Sequence, residues 1–330
     1  MATARGGGLL PSGMGRLQVL AVVLVALGGG CGSGGGGGDA ADDADDAGGG
    51  PDAPGSGSAD AATLPPPTWS SELTLAEAPS FESRRESDGL VELGHADAAA
   101  NDGRVARVVF HGAPALTSGD RAGAAFASEV STRRTFGYGT YRVRASLAAC
   151  AAGEEVVNGL FTYFNDGADH DGDGMVDNAE IDLEILCGTP DVIFLTVWSE
   201  YSAATGVFRR WSRAIDLARG DVWEAPSDRE FGLDMIGHDA TLVLPTLLDP
   251  GRFIELGFEW RADHVRFFAT VDGAERTLAT LTDPARIPRL PGQLMANVWH
   301  SSEHWFGGGP AADHPAADAT LLVDWIRYWE

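Results

Sequence analysis

From Trp69 onward the chain is written in short runs in which apolar and polar residues alternate, each closed by turn-forming residues such as glycine, proline, asparagine or aspartate. Alternation with period 2 gives a strand one face for a core and one for the outside, whereas a helix needs a 3.6-residue spacing that no convincing stretch sustains. The clearest runs are residues 104–110, 139–147, 157–164, 181–186, 193–200, 253–260, 264–271, 293–299 and 320–329. Asp272-Gly273, between two of them, is a hairpin signal. Many short strands at this spacing predict an all-β sandwich of two antiparallel sheets, a jelly roll, and nothing suggests a repeat array or a parallel sheet with helices.

The first 66 residues follow another pattern. Arg5 and Arg16 precede an apolar run at 17–27, about the length of a signal-peptide core and too short to span a bilayer comfortably. The run ends Leu27-Gly28-Gly29-Gly30-Cys31, which resembles a bacterial lipoprotein processing site with Cys31 as the lipidated residue; ordinary secretion, with Cys31 a bystander, is the other reading. Residues 32–66 are mainly Gly, Ala, Ser, Pro and Asp with no large apolar side chain before Leu64, so they cannot bury enough surface to offset chain entropy and predict a flexible acidic linker. The expected layout is a signal segment at 1–31, a linker at 32–66 and one domain at 67–330, exported to the cell envelope or beyond.

Composition narrows the partners. At 44% hydrophobic and 22% charged the chain can support a core. Its net charge of −25, from 48 acidic residues against 23 arginines and no lysine, argues against nucleic acid and anionic membrane surfaces, because binding phosphate needs clustered cations. Contact with a membrane is expected only through Cys31, and the domain is expected to be a monomer. Three cysteines are too few for a disulfide scaffold or a cysteine-based zinc site.

The most informative local feature is Glu180-Ile181-Asp182-Leu183-Glu184. On a strand all three acids face one way, and Ile181 and Leu183 the other. A solvated acidic face would look the same, but carboxylates crowded beside so apolar a strand are costly without a purpose. Retaining glycoside hydrolysis supplies one, since it needs a carboxylate nucleophile and a carboxylic acid about 5–5.5 Å apart. The i and i+4 Cα atoms lie roughly 13 Å apart, and two glutamates leaning together close most of that gap. Repulsion would raise one pKa and keep that glutamate protonated as the acid.

The motif series resembles the family-16 glycoside hydrolases, and among them the bacterial lichenases that cut mixed-linkage β-glucans. Besides the carboxylate row, the matching segments are Phe136-Gly137-Tyr138-Gly139-Thr140-Tyr141-Arg142-Val143, Val157-Asn158-Gly159-Leu160-Phe161-Thr162-Tyr163, Phe258-Glu259-Trp260 with Val271-Asp272-Gly273, Gln293-Leu294-Met295-Ala296-Asn297-Val298-Trp299, and Val323-Asp324-Trp325-Ile326-Arg327-Tyr328. The resemblance implies a concanavalin-like β-jelly roll with the row on its concave sheet. By position it makes Glu180 the nucleophile, Asp182 its helper and Glu184 the acid/base, with no cofactor for catalysis. It also implies sugar contacts at Glu129, Phe161, Tyr163, Trp198, Asn297, Trp299 and Trp305, and a metal position at Asp324. Trp260 and Trp325 read as core. The row lacks the extra residue that laminarinase-like members carry before their second glutamate, which favours a lichenase-like β-glucanase. Two departures stand out: Asn178 sits where the family usually has a tryptophan, so a sugar platform is missing or supplied elsewhere, and the loop after Trp299 is short.

Ahead of the row, Asp169-His170-Asp171-Gly172-Asp173-Gly174 continues to Asp177 with the spacing of a calcium loop: carboxylates at Asp169, Asp171, Asp173 and Asp177, and the backbone carbonyl of Met175. Its twelfth position is Glu180, which cannot both chelate and attack, so the expected loop closes at Asp177 and holds a structural calcium. A metal-free acidic insertion is the alternative. His300 and His304 read as cleft rim rather than zinc ligands. Cys150 and Cys187 form a natural disulfide in an exported protein, but two strand spacings, roughly 9.6 Å, would separate them if strand 157–164 lay between, so the pairing is open. Three functions compete: a lichenase-like endo-β-glucanase, a family member cutting a β-1,3-glucan or a galactan, and a non-catalytic calcium-dependent carbohydrate-binding domain.

Overall fold

The computed structural model describes residues 17–18, 65–85, 89–112, 126–151, 154, 156–189, 191–225, 228, 232–300 and 315–330. Cys31, residues 32–64, His304 and Trp305 lie outside the described residues. Alternating burial along the chain produces strands β1 Leu17–Gln18, β2 Trp69–Ser71, β3 Phe81–Arg85, β4 Leu90–Ala96, β5 Arg104–Phe110, β6 Phe126–Phe136, β7 Gly139–Ser146, β8 Val156–Phe164 and β9 Val176–Leu186. They continue as β10 Val192–Ser202, β11 Val207–Asp216, β12 Asp221–Glu224, β13 Gly232–His238, β14 Phe253–Trp260, β15 Val265–Val271, β16 Ala274–Leu281, β17 Gly292–His300 and β18 Ala319–Trp329. Helical structure among the described residues is limited to short 3-10 turns such as Leu75–Ser80.

Two antiparallel sheets form the jelly roll. One runs β1-β13-β12-β11-β10-β9-β8-β17-β6-β3, and the other β16-β15-β14-β7-β18-β5-β4 with β2 paired to β18. Leu17 and Gln18, inside the run expected to be a signal core, pair with Leu233 and Gly232. The hairpin signal is confirmed: Asp272 and Gly273 take φ of 52° and 77° between β15 and β16, the left-handed geometry that suits a two-residue turn.

The core lies between the sheets. Ile181, Leu183 and Ile185 of β9 meet Ile193, Leu195 and Val197 of β10 and Leu294, Ala296 and Val298 of β17, all buried. From the second sheet come Tyr141, Val143, Leu256, Phe258, Phe267, Leu321 and Ile326. Trp211 of β11 stacks on Phe267 across the gap at 6.0 Å, and Tyr141 stacks on Phe258 at 4.6 Å. Each buried large side chain contributes about 1.5–3 kcal/mol of hydrophobic stabilisation.

One expectation needs correction, and one open pairing is settled. Trp260 and Trp325 are both buried as expected, at 1% and 3% exposed, and the Arg327 guanidinium lies 4.0 Å from the Trp325 ring. The pairing of β18 with β7 shifts register between Val323 and Trp325. His300 is no rim residue, being buried and stacked on Phe110 at 6.0 Å. Cys150 and Cys187 are bonded, with Cα atoms 5.3 Å apart. The 9.6 Å estimate failed because β7 belongs to the other sheet. Cys150 therefore sits on the crossover into β8, whose start pairs with the end of β9 at Val157 and Leu186.

Candidate active site

Register carries the acids of β9 into the middle of one sheet. Glu180 faces Tyr163 of β8 and Trp198 of β10; Asp182 faces Phe161 and Thr196; Glu184 faces Gly159 and Phe194. The rows extend outward: Gln293 beside Tyr163, Met295 beside Phe161, Asn297 beside Gly159, and Glu129 of β6 beside Asn297. On the far side, Arg210 and Ser212 of β11 pair with Trp198 and Thr196. Strand pleating thus collects Glu180, Asp182, Glu184, Phe161, Tyr163, Trp198, Asn297, Trp299 and Glu129 on the face turned away from the core. These are the expected site residues apart from Trp305, which lies outside the described residues.

Their exposure separates them into floor and support. Phe161, Tyr163, Glu180 and Glu184 are half-buried, whereas Asp182, Trp198, Asn297, Trp299 and Glu129 are buried. Trp299 packs with Val157, Leu186, Val192 and Phe194 in an apolar cluster at one end of the row, and its indole N–H donates to Glu184. Asn297 donates to Glu129 at 3.5 Å. Gly159 makes room for this, since a Cβ there would lie 2.3 Å from the Asn297 Oδ1.

The three acids are electrostatically uneven. Burial pushes Glu180 up to about 7, and a hydrogen bond from Asn178 Nδ2 to Glu180 Oε2 at 3.0 Å opposes the shift. Burial, and then the charge of Glu180, push Glu184 up to about 8, opposed by the Trp299 indole. Asp182 is raised by burial first and then by both neighbours. The role of Asn178 escaped the sequence reading, which took it as a missing sugar platform. Its position two residues before Glu180 on the same strand face was the available signal.

The acidic loop before β9 gathers carboxylate oxygens of Asp169, Asp171 and Asp177 within 4.8 Å of one another, without Glu180. Positive φ at Gly172 (79°) and Gly174 (92°) folds it back. Asp169 accepts the N–H groups of Gly172 and Gly174 at 2.7 and 2.8 Å, and Asp177 that of His170 at 2.6 Å. These bonds occupy one lone pair each, and the donor set is oxygen only, as calcium requires. Arginines hold part of the same charge: Arg289 pairs with Asp171 at 2.9 Å, and Arg209 with Asp173 at 2.7 Å and with buried Glu200. Met175 N–H donates to Asp173. A register shift between Trp198 and Glu200 sets Asp177 opposite Glu200 while Glu180 stays opposite Trp198, so loop and row diverge. Asp324 is fully buried, accepts the Asn101 N–H at 2.9 Å and pairs with Arg144. Glu72 and Asp102 stand near it.

The raised acids set a stability dependence. Their folded pKa values exceed the unfolded ones, so the folded chain holds extra protons; the stability this confers is complete below about pH 4 and is lost as pH rises towards about 8. Thermal unfolding between pH 5 and 8.5 should show a falling Tm, and Asp182→Asn should flatten the fall by removing the most buried charge. An unchanged slope in that variant would contradict the assignment.

Comparison with protein-family models finds no match. Among curated proteins, the β-glucanase of Paenibacillus macerans is 25% identical over 142 residues, covering 38% of this chain and 54% of that protein. The chain thus spans about half the length of the curated relative it matches. Similar solved structures include the Bacillus licheniformis β-glucanase, at 16% identity and a TM-score of 0.47 over 79% of this chain and 97% of that one. Another is a prokaryotic β-1,3-1,4-glucanase (lichenase) from a mouse hindgut metagenome, at 18% identity and a TM-score of 0.45 over 79% and 98%. The chain is thus similar, over 38% of its length, to a curated β-glucanase.

Proposed function

We propose that the domain is an endo-acting β-glucan hydrolase with a retaining, two-step mechanism. The observation that carries this reading is the row Glu180, Asp182, Glu184 on the face away from the core, with a different hydrogen-bond donor on each glutamate. Glu184, the glutamate raised further, donates its proton to the glycosidic oxygen while the Glu180 carboxylate attacks the anomeric carbon. The bond to the leaving sugar breaks and a glycosyl ester forms on Glu180. Glu184 then takes a proton from water, whose oxygen attacks the same carbon; the ester bond to Glu180 breaks, freeing its carboxylate, and the β configuration is restored. Asp182, between them and kept protonated by burial, hydrogen-bonds the nucleophile. Phe161 and Tyr163 offer flat apolar faces to the C–H faces of the sugar rings.

A lichenase-like preference for mixed-linkage glucan is favoured by the compact spacing of the row. Asn178, in place of a tryptophan, keeps a β-1,3-glucan or galactan as the second reading. We also propose that Asp169, Asp171, Asp173, Asp177 and the Met175 carbonyl hold a structural calcium, and that export and lipidation at Cys31 tether the enzyme through the linker.

Glu180→Gln and Glu184→Gln should each lower hydrolysis of lichenan at least about 1000-fold with the fold retained, since each removes half of the acid and nucleophile pair. Reducing-sugar release from lichenan, laminarin and agarose measures this and ranks the substrates; substantial activity in either variant would sink the assignment. The kcat/KM profile should be bell-shaped around neutral pH, with limbs that belong to the coupled set. Calcium should raise Tm by mass action, and Asp171→Ala should remove that gain while leaving part of the activity. A chelator that leaves Tm unchanged would rule out the metal.

A further inference from the structure

The residue that stands where the family usually has a tryptophan is built into a chain of hydrogen bonds. Asn178 is 6% exposed. Its Nδ2 donates to Glu180 Oε2 at 3.0 Å, and its Oδ1 accepts from Asn165 Nδ2 at 3.0 Å. Asn165 Oδ1 in turn accepts the backbone N–H of Gly167 at 2.9 Å. A backbone N–H can only donate, so it fixes which end of the Asn165 amide is oxygen. That choice leaves Asn165 to donate, which fixes the Asn178 amide and points its N–H at the glutamate. Gly167 adopts φ of 77°, and the next residue, Ala168, accepts the Asp177 N–H at 2.9 Å, so the chain is anchored on the turn that enters the acidic loop.

We propose that Asn178, oriented by Asn165, is a positioning residue that holds Glu180 in its ionised, attacking form. The proposal rests on the hydrolase reading for its catalytic meaning. An N–H donor bonded to a carboxylate stabilises the charged state more than the neutral one. The other charged or ionisable groups around Glu180 work differently. Asp182 and Glu184 on its own strand are themselves raised by burial and by the charge of Glu180. Tyr163 of β8 lies directly beside it and Trp198 of β10 on the other side. Arg210 of β11 is one strand further, stacked 5.2 Å from the Trp198 ring. Asn178 is therefore the neighbour shown to distinguish Glu180 from the other two acids, as the Trp299 indole distinguishes Glu184.

Asn165 allows a test that separates hydrogen-bond polarity from packing. Asn165→Ala removes the anchor, whereas Asn165→Asp, nearly the same shape, presents an acceptor to Asn178 Oδ1 and drives that amide to turn its oxygen towards Glu180. The experiment is a ¹³C NMR titration of the glutamate side-chain carboxyls, with the Glu180 signal assigned by its loss in Glu180→Gln. It is run on the wild type, Asn178→Ala, Asn165→Ala and Asn165→Asp, with folding checked by circular dichroism. The Glu180 midpoint should rise by about one to two pH units in Asn178→Ala and in Asn165→Asp, and by less in Asn165→Ala. The acid limb of kcat/KM should move with it, and kcat should fall more than KM changes. A Glu180 midpoint unmoved in both folded Asn178→Ala and Asn165→Asp would overturn the proposal. A protein that cleaves no glucan while its Glu180 midpoint still moves would sink the hydrolase reading and leave the hydrogen-bond relation standing.

Discussion

One strand has to keep two incompatible faces. β9 turns Ile181, Leu183 and Ile185 into the core and Glu180, Asp182 and Glu184 to the other side, one residue apart at each step. The apolar face demands a second sheet over it, which β7, β14, β15 and β18 provide. The acidic face demands the reverse, a surface open enough for substrate and supplied with donors. A central strand of one sheet in a two-sheet sandwich meets both requirements, because pleating converts a two-residue sequence repeat into two faces without extra chain.

Crowded, buried carboxylates cost stability, and the surroundings do not neutralise them evenly. Burial dominates the shift of each acid, while the next influence differs: an amide donor on Glu180, an indole donor opposing the charge of Glu180 on Glu184, and the charges of both glutamates on Asp182. On the proposed reading, such differences would turn three similar groups into a nucleophile, a helper and an acid. The supports come from separate elements. Asn178 shares β9, Trp299 sits on β17 at the edge of an apolar cluster, and the acidic loop that leads into β9 is tied to β10 and β11 through Arg209.

The fold class and the face of every acid were legible in the chain, because alternation of period 2 along 181–186, 193–200 and 293–299 is a direct image of pleating. The hairpin at Asp272-Gly273 was legible for the same local reason. What escaped depended on which sheet a strand joins. The Cys150–Cys187 pairing stayed open because the sequence does not show which sheet β7 joins. Strands β11 to β13 were not singled out, since arginines at 209, 210 and 213 blur the alternation in β11. Asn178 was read through its absence of an aromatic ring rather than through its own donor, and the partner that orients it, Asn165, lies thirteen residues earlier.

The central claim is that Glu180 is the attacking carboxylate. Incubation with an activated 2-deoxy-2-fluoro β-glucoside or oligosaccharide, which slows breakdown of the glycosyl ester, followed by proteolysis and peptide mass spectrometry, tests it most directly. The account predicts a single sugar adduct on the peptide containing residues 176–186, localised by fragmentation to Glu180 and absent in Glu180→Gln. An adduct on Glu184 or on a residue outside β9, or rapid turnover of the natural substrate to an α-anomeric product, would contradict it.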